Sequence, residues 1–128
     1  FGNKFQSYLN WVKKDSIVII QIEHIDAVKN IEKIFSVKGL DGYFIGPYDL
    51  SSSMGITGDF KNKKFQNVIK KIFEAGKKYN ITAGFHSVNS DPTEAIQYKK
   101  KGFKILSLSV DAIFLGDKAS ESLMKLKK

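Results

Sequence analysis

The chain of 128 residues is 42% hydrophobic and 27% charged, a composition that excludes a disordered chain and suffices for one domain with a real core. It contains no cysteine, which excludes disulfides and thiolate chemistry and points to a reducing, cytoplasmic compartment. The net charge of +8 (21 basic against 13 acidic residues) raises the question of a nucleic-acid partner.

The placement of that charge answers it. Every basic residue is lysine, and arginine, the side chain suited to bidentate base and phosphate recognition, is absent. The lysines fall on helix faces and near segment ends: Lys63, Lys64, Lys70, Lys71, Lys77 and Lys78, then Lys99 to Lys101, then Lys125, Lys127 and Lys128. They are not interleaved with exposed aromatics as a base-stacking platform requires. A solvated lysine-rich surface is expected, with no nucleic-acid partner. No apolar run approaches the roughly 18 residues of a membrane helix, so no membrane partner is expected either. Phe1 to Lys14 lacks the apolar centre and small-residue cleavage site of a signal peptide.

In chain order, Phe5, Tyr8, Leu9 and Val12 have helical spacing and read as the tail of a preceding helix. Ser16 to Glu23 is β-branched and almost continuously apolar, the pattern of a strand covered on both faces. Ala27, Val28, Ile31, Ile34 and Phe35 predict one amphipathic helix, stopped by Gly39. Gly42 to Pro47 is the second strand, and Ser51 to Asn62 a loop. Phe65, Val68, Ile69, Ile72 and Phe73 mark the next helix. Ile81 to Ser87 is the third strand. Asp91-Pro92-Thr93-Glu94 is a helix start, with Asp91 as cap and Glu94 completing a capping box. That helix ends at Gly102. Lys104 to Val110 is the fourth strand, and Asp111 to Lys128 a final helix carrying Leu123, Met124 and Leu126.

Four βα units in succession imply an α/β fold with a parallel sheet and right-handed crossovers. Two architectures fit: an open doubly wound sheet, or half of a (β/α)8 TIM barrel, which takes about 250 residues when complete. Two details favour the half barrel. The chain starts without Met and inside a helical pattern, so a preceding segment is expected. The fourth strand also places Ser107, Ser109 and Asp111 on one face and Leu106, Leu108 and Val110 on the other, as at a partly polar barrel mouth.

Residues two apart on a strand share a face, so Gln21 and Glu23 point together at the carboxyl end of the first strand. The second strand runs into Gly46-Pro47-Tyr48-Asp49, again at its carboxyl end. Neighbouring strands lie ~4.8 Å apart, so Glu23 and Asp49 can converge on one cation. Two hard oxygen ligands suit Mg²⁺ or Mn²⁺, and the shortage of His and Cys argues against a closed zinc site. Gly46 allows close backbone approach, and the amides of Tyr48 and Asp49 can donate to a bound carboxylate. The bland alternative is a capping Asp and a Glu paired with a surface lysine.

Gln21 to Gly55, QIEHIDAVKNIEKIFSVKGLDGYFIGPYDLSSSMG, resembles the HpcH/HpaI aldolase (citrate lyase-like) family of metal-dependent pyruvate aldolases. The resemblance is carried by a glutamine-x-glutamate strand end and a G-x-D-x-x-x-I-G-P-x-D-L-S-x-S-x-G run from Gly39 to Gly55. It is weaker through TAGFHS and SLSVDAIFLGD. The resemblance implies the C-terminal half of a TIM barrel, with Glu23 and Asp49 as ligands of a divalent metal. It further implies that Gln21 and the amides of Tyr48 and Asp49, beside Gly46, contact a 2-oxo acid substrate. The activity implied is cleavage of a 4-hydroxy-2-oxo acid to pyruvate and an aldehyde, in a homo-oligomer. The catalytic His, Asp and Arg of such an enzyme are expected in the other half of the barrel, so no catalytic residue is assigned here.

The remaining candidates carry less. His24 stands where a small hydroxyl residue is expected and receives no role. His86, beside Gly84 and Phe85, is read as a hydrogen-bonded structural histidine. Ser51 to Ser53 shape a loop, since no Ser-His-Asp arrangement accompanies them. Gly55 and Gly58 lack the strand-then-helix setting of a nucleotide loop. A non-catalytic half-barrel binding or assembly module is the rival to the aldolase, and a lysine-rich nucleic-acid binder ranks last.

Overall fold

The computed structural model describes residues 4–127. Phe1 to Asn3 and Lys128, which belong to the expected leading segment and the last lysine cluster, lie outside the described residues. The alternation read from the sequence is present: α1 (Phe5–Asp15), β1 (Ile19–Ile22), α2 (Ile25–Lys29), α3 (Ile31–Phe35), β2 (Gly42–Ile45), α4 (Pro47–Ser53), α5 (Lys63–Lys78), β3 (Thr82–Ser87), α6 (Thr93–Lys101), β4 (Ile105–Leu108) and α7 (Asp111–Leu126). The strands form one sheet in the order β1-β2-β3-β4, every pair parallel. This is an α/β fold of four βα units, half of a (β/α)8 barrel.

The register sorts the two faces of the sheet. Ile22, Ile45, Phe85 and Leu106 are aligned across the four strands on the side that packs under helices. Ile22, Ile45 and Phe85 are buried in the main core with Val28, Ile31 and Phe35 from α2 and α3 and Phe65, Ile69 and Ile72 from α5. Stacking of Phe85 on Tyr98 and of Phe73 on Phe103 closes that core under α6. Gln21, Phe44, Gly84 and Ile105 are aligned on the opposite face, the inner face of the half barrel. Gly84 is required there, because a β-carbon on it would lie 2.7 Å from the Phe44 ring and from Tyr43 O.

Several expectations need correction. The first strand is not covered on both faces: Ile17 is 75% exposed and Ile19 46%. Among the described residues, β1 is an edge strand with β2 as its one neighbour, and α1 buries none of its residues. The helix expected over Ala27 to Phe35 is broken into α2 and α3 at Asn30, whose side-chain Nδ2 donates to Asp26 O and competes with the helical ladder. The Ser51 to Asn62 loop begins later, because Ser51 to Ser53 complete α4, which starts from Pro47 at its first turn.

Asp91 lies one residue before the cap of α6, which is Pro92, and its Oδ1 accepts from Thr93 N. Glu94 does not complete a capping box; it accepts from the buried Ser87 hydroxyl at 2.9 Å. The alternation expected through Val110 fails at Ser109, which has left-handed backbone (φ 54°) and ends the pleat after Leu108. Gly102 ends α6 in the left-handed conformation, as its position predicts.

Candidate functional site

The carboxyl ends of β1, β2 and β3 open on one side of the sheet, and the candidate residues gather there. Gln21 lies on the inner face of β1, and Glu23 follows that strand by one residue. The shared face is visible as a hydrogen bond: Gln21 Nε2 donates to Glu23 Oε2 at 2.7 Å. Asp49 sits in the first turn of α4, which springs directly from β2 through Gly46. Glu23 and Asp49 line one open depression with His24, Ser52 and Ser53.

Gly46 is the reason the two strands can present their ends so closely. A β-carbon there would lie 2.9 Å from Gln21 Nε2, 3.2 Å from Glu23 Cβ and 3.3 Å from Glu23 Oε2. Being glycine, it also offers no side-chain cap to α4. Pro47 has no N–H and Gly46 N is spent on Ile22 O, so the remaining first-turn amides of α4 belong to Tyr48 and Asp49. A second, smaller depression of about 210 Å³ is lined by Gln21, Gly46, Tyr48, Asp49, His86 and Val88.

Neither half of the bland alternative describes these carboxylates. The position flanking α4 at its start is Gly46, so Asp49 is not the capping residue. Among the described residues, no lysine lies within ion-pair distance of Glu23 or Asp49. Lysines are abundant nearby in sequence, but Lys29 pairs with Asp26 at 2.7 Å.

The serines lock α4 in place. Ser51 Oγ, fully buried, donates to Tyr48 O and accepts from Gly58 N. Ser53 Oγ donates to Leu50 O and accepts from Ile25 N, tying α4 to the start of α2. His24 caps α2, its Nδ1 accepting from Asp26 N. Sequence reasoning gave it no role; its place just before the first helical residue, where a side-chain acceptor is expected, is the signal that marks it.

His86 was read as structural, and one ring nitrogen does bond to the carbonyl of Ser109 at 3.3 Å. The same ring also lines the smaller depression opposite Gln21 and Asp49. Its parity with Thr82 and Gly84 on β3 was the available signal.

The donor set fits a hard divalent cation: two carboxylates from neighbouring strand ends, one held by an amide and neither spent on a lysine. Among the described residues, no group of three His, Cys, Asp or Glu side chains converges as a metal cluster. No helix among them is long and apolar enough to cross a membrane.

The sequence profile described as HpcH/HpaI aldolase/citrate lyase matches residues 6–116. The chain belongs to this family. It is 34% identical over 125 residues to a 4-hydroxy-2-oxo-heptane-1,7-dioate aldolase of Shigella sonnei, covering 94% of the chain and 45% of that relative. It is 29% identical to a hydroxypyruvate/pyruvate aldolase of Paraburkholderia phytofirmans over 122 residues, 95% of the chain and 46% of the relative. Among solved structures, a family protein of Burkholderia cenocepacia superposes with a TM-score of 0.88 at 27% identity, over 96% of the chain and 47% of the other. The chain therefore spans about half the length of the family relatives it matches, in keeping with a sheet of four strands where a whole barrel has eight.

Proposed function

We propose that this chain supplies the metal and 2-oxo acid sites of an aldolase that cleaves a 4-hydroxy-2-oxo acid to pyruvate and an aldehyde. The observation that carries the proposal is that Glu23 and Asp49 line one depression at the strand ends, with no lysine paired to either among the described residues. The names of the family relatives support the reaction class. Glu23 and Asp49 would hold Mg²⁺ or Mn²⁺, with the remaining coordination positions left to water and substrate oxygens. When bound, the ion supplies Lewis-acid polarisation of the keto group, favouring the charge that develops as the carbon–carbon bond breaks.

The chain's own residues do the rest of what it contributes. The Tyr48 and Asp49 amides at the start of α4 donate to the substrate carboxylate, and Gly46 leaves room for it. Gln21 fixes the Glu23 carboxylate and presents its amide beside the keto acid. The general base, and the cation that assists at the developing enolate oxygen, are not assigned to this chain, which has no arginine. In this proposal residues 1–128 act as one partial domain, the C-terminal half of a barrel, and the other half carries those groups. A cytoplasmic location and homo-oligomeric assembly belong to the same proposal.

Titration of the chain with Mn²⁺, followed by calorimetry, tests the site. Glu23→Ala and Asp49→Ala should each abolish saturable binding. Wild-type affinity in both variants refutes the shared site. An aldol-cleavage assay of the chain beside a barrel completed with a first half then separates an aldolase half from a non-catalytic binding module. Cleavage only by the completed barrel, and only with Mn²⁺, is the expected result.

A further inference from the structure

His86 is held more firmly than an incidental lining residue needs to be. Its Nε2 lies 3.3 Å from the Ser109 carbonyl, which can only accept, so Nε2 carries the proton. That carbonyl belongs to a residue with left-handed backbone (φ 54°), pinned by Ser109 N to Ser87 O at 2.7 Å and by Ser109 Oγ to Val88 O at 2.9 Å. Ser109 is itself buried. The anchor fixes the tautomer: in the neutral ring Nδ1 keeps its lone pair and is the ring's remaining hydrogen-bonding atom. Phe44, the inner-face neighbour on β2, packs at 6.3 Å between ring centroids and limits the ring from one side.

The smaller depression therefore offers two kinds of partner. Tyr48 and Asp49, whose amides open α4, and Gln21 supply donors, and His86 supplies an acceptor. A carboxylate suits the donors and is repelled by a lone pair; a hydroxyl suits the acceptor. Resting on the 2-oxo acid reading above, we infer that His86 is a specificity residue that accepts a hydrogen bond through Nδ1 from a hydroxyl on the carbon chain of the bound 2-oxo acid. A volume of about 210 Å³ suits an acid of a few carbons.

Two ligands of nearly equal shape test this directly: 3-hydroxypyruvate, with a hydroxyl on C3, and 2-oxobutyrate, with a methyl group in its place. Their dissociation constants are measured by calorimetry on the Mn²⁺-loaded chain, for the wild type, His86→Leu and His86→Asn. Asparagine keeps an acceptor close to the Nδ1 position. The wild type should favour the hydroxylated acid by about tenfold, the worth of one well-placed hydrogen bond. His86→Leu should lose that preference while binding 2-oxobutyrate as before, and His86→Asn should restore part of it. Equal preference in wild type and His86→Leu, or loss of both ligands together in His86→Leu and His86→Asn, overturns the role of His86 alone. Failure of the wild type to bind either acid overturns the 2-oxo acid reading and this inference with it.

Discussion

Gln21 Nε2 donates to Glu23 Oε2 at 2.7 Å, so the strand that delivers the carboxylate also orients it. A carboxylate held by a neutral amide keeps its charge and its other oxygen for a cation, whereas one held by lysine would be neutralised. Gln21→Leu, close in size and without the donor, should therefore weaken Mn²⁺ binding by roughly tenfold, within the range found when partners of metal ligands are removed. Manganese titration of the variant checks it. An unchanged affinity would leave Gln21 as a substrate contact only.

Gly46 controls the same carboxylate from the neighbouring strand. Its missing β-carbon would meet Gln21 Nε2 at 2.9 Å and Glu23 Oε2 at 3.3 Å, both distances too short to tolerate without movement. The side chains can move, since they are exposed, so Gly46→Ala should fold. Displacing Glu23 and Gln21 should nonetheless lower Mn²⁺ affinity by at least about tenfold, the scale of a 1–3 kcal/mol overpacking penalty. Calorimetry beside a thermal melt separates the two effects; lost stability with full metal affinity would contradict the account.

Much of this was legible in the sequence because it depends on local rules. Strand parity put Gln21 and Glu23 together, and the Gly46-Pro47-Tyr48-Asp49 run put Asp49 at the carboxyl end of the second strand, although the helix that carries it reads in the sequence as strand end and loop. What was not legible depends on contacts made across the fold. At the break, the Asn30 side chain shares the Asp26 carbonyl with its own backbone N–H, a contact the apolar spacing does not reveal. Glu94 is drawn away from its own helix by the Ser87 hydroxyl on β3, and Ser109 adopts left-handed backbone despite being neither Gly nor Asn. The burial expected of Ser16 to Glu23 reads as exposure for a different reason. An apolar strand records what is meant to cover it, and within residues 4–127 nothing covers the far side of β1.

Tyr43 is fully buried, with its ring stacked on Phe35 at 4.9 Å between centroids and pressed against Gly76. Its hydroxyl is the buried side-chain polar atom without a hydrogen-bond partner among the described residues. A buried hydroxyl with no partner has lost its water and received nothing in return. Tyr43→Phe keeps the stacking and should raise stability by about 1 kcal/mol. Urea unfolding measures it; destabilisation by a similar amount would mean the hydroxyl has a partner in solution.

Burial also pushes the Tyr98 phenol up to about 12 from its ordinary 10.0, with nearby Glu94 adding to the effect. Burial displaces Tyr43 in the same direction. A folded-state value above the unfolded one means the folded chain holds its proton longer. The contribution is therefore complete below pH 10 and is lost as pH rises from about 10 to about 12. Unfolding free energy should fall across that window, with Tyr98 accounting for on the order of 2 kcal/mol. Tyr98→Phe should flatten the fall relative to the wild type. Parallel curves for the two proteins would show that the phenol does not resist ionisation.

β1 and β4 each pair on one side only, so the described sheet has two open parallel edges. Natural sheets protect such edges with charge, proline or a covering element. Here the edges carry Ile17, Val18 and Ile19 on one side and Leu108 and Val110 on the other, all exposed. The flanking helices offer no cover, since α1 and α7 bury none of their residues. Purified alone, the chain should self-associate with rising concentration, and light scattering after size exclusion should register it. Ile19→Lys, which adds a charge on an open strand without touching Glu23 or Asp49, should shift the chain toward monomer. Association that Ile19→Lys leaves unchanged would move the contact away from the β1 edge, to the apolar surface of α7 around Leu115, Leu123 and Leu126.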